Sequence, residues 1–129
     1  NNENYSNTNI KFVGFDILNQ VPSKFDLIFN RDCLVHFRDE DVIKTIVNFK
    51  KSESKYFAST TYPKVKKNIV SHLPDKWRPI NLCEAPFNFP KPYILLNDNY
   101  DYEDKKSNTE EEKFMGVWKI EDLKNLKFE

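Results

Sequence analysis

A short polar run carries most of the side chains with which this chain could do chemistry. Asn30, Arg31 and Asp32 follow an apolar segment, and His36 lies just beyond them. An arginine binds a carboxylate through two parallel hydrogen bonds, and an aspartate can orient a donor group. An imidazole with an ordinary pKa near 6.5 can serve as the base for a hydroxyl or amine nucleophile. The run predicts a site with His36 and Asp32 as its reactive groups; the structural alternatives are an Arg–Asp pair that fixes the loop and a histidine packed under a helix start.

The spacing of Cys33 and His36 also invites a metal site. A zinc site needs further ligands at recognised spacing, and the sequence offers none beside this pair. We therefore expect no metal.

A second group of candidates lies further along the chain. One part ends a predicted strand before Pro63, and the other belongs to a proline-rich stretch. An aromatic ring and an arginine in such a place can shape a binding pocket. The alternative is that the aromatic rings of this stretch, which include Phe87 and Phe89, only cover the sheet. The candidates are Thr61, Tyr62, Trp77, Arg78 and Asn81.

These positions depend on a predicted α/β sheet. The helix is clearest, because Asp39–Asp41 complement the positive end of its dipole, Lys50–Lys51 complement the other end, and apolar residues between them recur at helical spacing. Strand, strand, helix and strand with short links are typical of a parallel sheet.

Apolar runs predict strands at 10–15, 25–30, 56–62, 93–97 and 114–120. The rest is predicted as a flexible leader at 1–9, a weak helix at 64–73, an irregular segment at 77–92 and a mobile loop at 98–113.

Composition excludes several classes of function. The chain has 129 residues, 20 basic and 20 acidic side chains, and only two glycines, Gly14 and Gly116. A phosphate-cradling loop needs two or three glycines close together, so a self-contained nucleotide loop is excluded. The sequence lacks the basic stripe that is typical of nucleic-acid-binding proteins. It also has no apolar run long enough for a membrane span. Two cysteines without a secretory signal favour the cytoplasm.

The segment FDLIFNRDCLVHF, residues 25–37, resembles the fourth motif of class I S-adenosylmethionine-dependent methyltransferases. FVGFDI before it, KYFASTT after the helix and GVW near the end are similar to other parts of the family in order and spacing, over residues 10–123. The resemblance implies an α/β fold with a mostly parallel, Rossmann-like methyltransferase sheet, made of strands three to seven with an antiparallel last strand.

The resemblance also implies roles for the candidate residues. S-adenosylmethionine would be the cofactor, with Asp16 on the adenine amino group, Ile17 on the ring, and Asn30 and Arg31 beside the methyl-transfer site. Asp32 and His36 would be catalytic, and the second group of candidates would bind a small-molecule or glycan acceptor. For Asp16 the alternative is an aspartate that caps the loop after a strand.

One departure from the family matters for function. Its glycine-rich turn after strand one and the acidic end of strand two are absent. We therefore expect the carboxyl-terminal part of a methyltransferase, inactive alone; the alternative is a non-catalytic scaffold or partner-binding module. Strand four would normally pair with strand one, so its open edge should favour a dimer or a partner chain.

Overall fold

The fold is an open, mixed four-stranded sheet with helices, described for residues 9–73, 76–98 and 109–128 of a computed structural model. Nearly all of the expected leader, and most of the expected loop at 98–113, lie outside these residues. No helix within the described ranges combines the length and the apolar character needed to span a membrane. The elements are β1 (Leu27–Asn30), a 3-10 turn (Leu34–His36), α1 (Asp39–Lys51), β2 (Tyr56–Thr61), β3 (Ile94–Asn97), β4 (Phe114–Lys119) and α2 (Ile120–Leu123).

The strand order is β1-β2-β4-β3. β1 and β2 are parallel, with Leu27 opposite Tyr56. β4 is antiparallel to both of its neighbours, since Val117 lies opposite Ala58 on one side and Ile94 on the other. β1, β2 and β3 therefore point the same way, and the last strand runs against them, so the sheet is mixed rather than mostly parallel in its pairings.

The predicted first strand at 10–15 is wrong. These residues form no strand, and Phe12, Val13 and Phe15 are exposed. Apolar content alone does not make a strand, because the backbone groups also need a partner. Among the described residues β1 pairs only with β2, so no neighbouring strand organises this segment.

The helix α1 forms for the local reasons that its sequence indicated. Three carboxylates lie in its first turn and two lysines in its last. The Arg38 guanidinium binds the Asp41 carboxylate at 2.8 and 3.2 Å, which ties the residue before the helix to its first turn. The apolar stripe of Val42, Ile46 and Phe49 is buried against the sheet.

An aromatic cluster holds β2, β4 and the proline-rich stretch together. The Trp118 ring lies 6.4 Å from Phe57 and 5.1 Å from Phe89, measured between ring centroids. The Trp118 indole N–H also donates to the Pro90 carbonyl at 2.7 Å. Phe87 and Phe89 are buried, so they cover the sheet as the structural alternative proposed. No helix forms at 64–73; asparagine and arginine side chains hold that segment instead.

Gly116 leaves the space that this cluster needs. A Cβ atom there would collide with Cη2 of Trp118 and lie 2.7 Å from its Cζ3. We expect Gly116→Ala to destabilise the fold by about 1–3 kcal/mol, because overpacking forces the indole out of place. Urea unfolding measures the change.

Gly14→Ala is the matched control, since a Cβ atom there would meet nothing within 4 Å. It should change the free energy of unfolding by less than about 0.5 kcal/mol. Equal losses in the two variants would contradict the packing of Trp118 described above.

Candidate functional site

We call the end of the sheet where β1, β2 and β3 finish and the antiparallel β4 begins the C-terminal rim. In open α/β sheets ligands bind in the crevice outside the carboxyl ends of the strands. Polar side chains gather here from all four strands and the residues next to them. They are Asn30, Arg31, Asp32, Thr60, Asn97, Asp98, Glu112 and Lys113.

The Arg31 side chain extends along the rim from the end of β1 to the end of β3. Its Nε and a terminal nitrogen bind the two Asp98 carboxylate oxygens at 2.9 and 3.1 Å. This is the two-bond geometry expected of an arginine and a carboxylate, but the partner follows β3 rather than β1. The pair therefore connects the ends of the two outermost strands.

Asp32 has an unusual backbone conformation and a cationic partner. Its φ is 53°, in the left-handed region, which aspartate tolerates better than most residues. Its N–H donates to the Thr60 hydroxyl oxygen at 2.8 Å, and the Lys113 ammonium lies 3.1 and 3.2 Å from its carboxylate oxygens. The turn after β1 is thus attached to both β2 and the start of β4.

A third set of contacts extends the rim. The Glu112 carboxylate is buried, binds the Lys64 ammonium and accepts from Asn97 Nδ2 at 3.2 Å. Among the described residues the rim thus carries three cation–carboxylate pairs.

Asn30 differs from these rim residues, whose polar groups have partners within the protein. Its side chain is buried at the end of β1, and Nδ2 has no hydrogen-bond partner in the described part of the chain. Buried amide donors in native proteins are nearly always paired. Thr45 Oγ1 on α1 shares this condition. The Asn30 amide thus keeps a donor that no described residue satisfies.

His36 ends the 3-10 turn and is exposed, while Leu34 and Val35 of the same turn are buried. It is therefore not packed under the helix start, and its role as a base stays a prediction. Burial raises the pKa of the Cys33 thiol, which disfavours the thiolate that binds metals. Within the described ranges no three His, Cys, Asp or Glu side chains gather as a metal site.

Asp16 and Ile17 do not reach the C-terminal rim. The Asp16 carboxylate accepts from Asn19 Nδ2 at 2.8 Å and from the Leu18 N–H at 3.0 Å. These hydrogen bonds, that of Asn19 first, lower the pKa of Asp16. The Ile17 carbonyl accepts from Asn48 in the last third of α1. Asp16 thus caps its own turn, as its structural alternative proposed, and its contact with the adenine of the cofactor stays a prediction.

Most of the predicted acceptor residues serve the packing of the proline-rich stretch instead. The Thr61 hydroxyl oxygen accepts from the Leu82 N–H at 3.1 Å. Asn81 Nδ2 donates to the Val65 carbonyl at 2.8 Å, and its Oδ1 accepts from the Cys83 N–H at 3.0 Å.

Arg78 is also internal. It is 4% exposed, and its guanidinium binds the Asp39 carboxylate and the Phe37 and Ile69 carbonyls. These contacts join the proline-rich stretch to the first turn of α1. An arginine committed in this way is not positioned to bind an acceptor.

Trp77 and Tyr62 are the remaining pair. Their rings meet edge to face at 6.0 Å, with Tyr62 buried and Trp77 43% exposed. Trp77 alone among the second group presents a large accessible surface, so an acceptor-binding role remains a prediction for it.

The described residues do not fit S-adenosylmethionine by themselves. The unpaired Asn30 amide suits a ligand acceptor group, but the Asp16 carboxylate is already bonded within its turn. Neither glycine provides a backbone cradle, since Gly14 has open space around it and Gly116 faces the Trp118 ring. No family model, curated protein or solved structure matches this chain.

The sequence did not reveal the partners of the rim residues. Asp98 and Lys113 are the first and last residues of a segment that composition marked only as charged. The antiparallel placement of β4 brings Lys113 beside Asp32, and this placement has no local signal.

Arg78→Met tests whether this arginine is structural. Removing one partner from a buried ion pair leaves the Asp39 charge uncompensated, so we expect a loss of about 3–5 kcal/mol in the free energy of unfolding. Urea denaturation followed by circular dichroism measures it.

Arg31→Met is the matched control, because it breaks an Arg–Asp pair whose arginine side chain is 40% exposed. We expect about 0–1 kcal/mol there. A loss below about 0.5 kcal/mol for Arg78→Met would contradict the structural role and return Arg78 to the set of acceptor residues.

Proposed function

We propose that this chain forms the carboxyl-terminal half of an S-adenosylmethionine-dependent methyltransferase that acts on a small-molecule or glycan acceptor. The cofactor half would supply the glycine-rich turn and a strand that pairs with β1. Neither half binds the cofactor productively without the other.

The observation that carries this proposal is the position of β4. The methyltransferase resemblance implies an antiparallel last strand inserted beside strand five. β4 pairs with β2 on one side and β3 on the other, antiparallel to both. A simple meander would have placed β4 beside β3 only, so the order β1-β2-β4-β3 supports the proposal.

Among the described residues no strand pairs with the outer edge of β1, and this supports a missing neighbour. The Tyr56 N–H donates to the Asp26 carbonyl, so alternate residues of β1 turn their backbone groups toward β2. The backbone groups of Leu27 and Phe29 then point outward, and both side chains are exposed. An edge of this kind favours the addition of another strand.

The C-terminal rim is the proposed place of reaction. Methyl transfer from a sulfonium needs no covalent intermediate with the protein and depends on holding the reacting atoms about 3–3.5 Å apart. Asn30 offers an unpaired buried donor there, and the fixed turn at Asp32 presents a partly exposed carboxylate. His36, exposed on the following turn, would take the proton from the acceptor nucleophile.

A second candidate function is a non-catalytic scaffold of the same architecture. The observation that favours it is the saturation of the chemistry-bearing groups. Arg31, Asp32 and Asp16 all have internal partners, and the predicted acceptor residues are largely buried. In this case the open edge of β1 would bind a partner without cofactor chemistry.

Calorimetric titration with S-adenosylhomocysteine separates the two candidates. We expect no binding to this chain alone, and binding to a gene product in which a glycine-rich strand and turn precede it. In that protein Asn30→Leu should weaken binding at least about tenfold, because a charge-assisted or neutral hydrogen bond to a buried amide is lost. Asn125→Leu, at an exposed position, is the control and should have no effect.

Two outcomes would decide against the proposal. Tight binding by this chain alone would contradict a separate cofactor half. Absence of binding by the larger protein would leave the scaffold as the function.

A further inference from the structure

A cleft lies at the opposite edge of the sheet from the C-terminal rim, where β1 and β2 begin and β4 ends. Its volume is about 830 Å³, within the range of small-molecule sites. We call it the N-rim cleft. Its lining residues include four lysines, Lys24, Lys55, Lys119 and Lys124, together with the acidic side chains Asp26, Glu53 and Glu121 and the ring of Tyr56.

The lysines come from four separate parts of the fold. One precedes β1, one precedes β2, one ends β4 and one follows α2. Over the described ranges, no carboxylate oxygen lies within 4.0 Å of any of these four ammonium groups. This differs from the C-terminal rim, where each lysine and arginine has an acidic partner. Four lysines against three carboxylates leave the lining with one net positive charge, and ammonium groups that are not in contact with these carboxylates favour the binding of an anion.

The backbone around the cleft is held in place. The Lys55 N–H donates to the Phe25 carbonyl at 3.0 Å, and its carbonyl accepts from the Ile120 N–H at 2.9 Å. The buried Ser54 hydroxyl accepts from the Phe25 N–H at 2.9 Å. The segments that carry Lys24, Lys55 and the end of β4 are therefore fixed relative to one another without a ligand.

Two of the ammonium groups are also positioned by aromatic rings. Lys55 Nζ lies 5.4 Å from the centroid of the Tyr56 ring, and Lys119 Nζ lies 4.9 Å from that of Tyr93. The two tyrosine rings stack on each other at 6.3 Å. Cation–π contacts of this kind orient an ammonium without neutralising it.

The acidic side chains define the ligand further. Asp26, Glu53 and Glu121 would repel a bare anion, yet they are good acceptors for hydroxyl groups. We propose that the N-rim cleft binds a phosphate ester of a polyol, with its phosphate on the lysines and its hydroxyl groups on the carboxylates. This site is distinct from the proposed methyl-transfer site and does not depend on it.

Titration of the full chain with ribose 5-phosphate, followed by amide chemical shifts, tests the proposal. We expect saturable one-to-one binding with shifts at Lys55, Tyr56 and Lys119, weaker binding of inorganic phosphate, and no binding of ribose. Lys55→Met with Lys119→Met should weaken binding at least about tenfold, because two of the charged donors are removed. Shifts that grow linearly without saturation would overturn the site.

The matched control replaces Lys66 and Lys67 by methionine, which removes two exposed lysines outside the cleft. Equal weakening by both double variants would show attraction to net charge and overturn the site. Inorganic phosphate binding as tightly as the ester would overturn the role of the carboxylates. Circular dichroism confirms that each variant is folded, and added S-adenosylhomocysteine should not compete.

Discussion

The antiparallel strand β4 is the constraint on which the rest of this structure depends. Its Trp118 side chain packs on Phe57 of β2 and on Phe89 of the proline-rich stretch, and Gly116 leaves room for the indole. β4 also lies between β2 and β3 and pairs with both, so it joins the two parts of the sheet. Without this strand neither the core nor the C-terminal rim would be assembled.

The C-terminal rim and the N-rim cleft lie at opposite ends of the strands, and their charged groups are arranged differently. At the C-terminal rim the described charged groups form ion pairs, and among the described residues Asn30 keeps an amide donor without a partner. At the opposite ends of the strands four lysines share a cleft, and none of them is in contact with a carboxylate of the described ranges. Paired charges fix the ends of strands, whereas unpaired charges leave binding energy for a ligand.

The elements that could be predicted from the sequence are those whose stabilising interactions lie close together along the chain. The helix α1 was predictable because Asp39–Asp41, Lys50–Lys51 and the apolar stripe all act within a few turns. The strands at β2 and β4 were found for a similar reason, since each is a short apolar run. The segment at 10–15 has the same local character, but it is not a strand, because pairing requires a partner elsewhere in the chain.

The roles of side chains were harder to predict than the elements, because their partners are distant in sequence. Arg78 was expected to bind a ligand, but it meets Asp39, which is 39 residues away. Arg31 was expected to bind the cofactor or, in the structural alternative, an aspartate of its own loop, but it meets Asp98, which is 67 residues away. A polar residue beside a strand end thus shows only that a polar partner is needed. The topology decides whether that partner is a ligand or another part of the protein.

Nuclear Overhauser effects from Val117 are the sharpest test of the strand order, because this one residue should contact two strands at once. We expect cross-strand effects to both Ala58 and Ile94, its partners in β2 and β3. Effects from Val117 to Ile94 alone, with Ala58 contacting β3 directly, would place β4 at the sheet edge. That result would contradict the strand order and, with it, the proposed relation to methyltransferases.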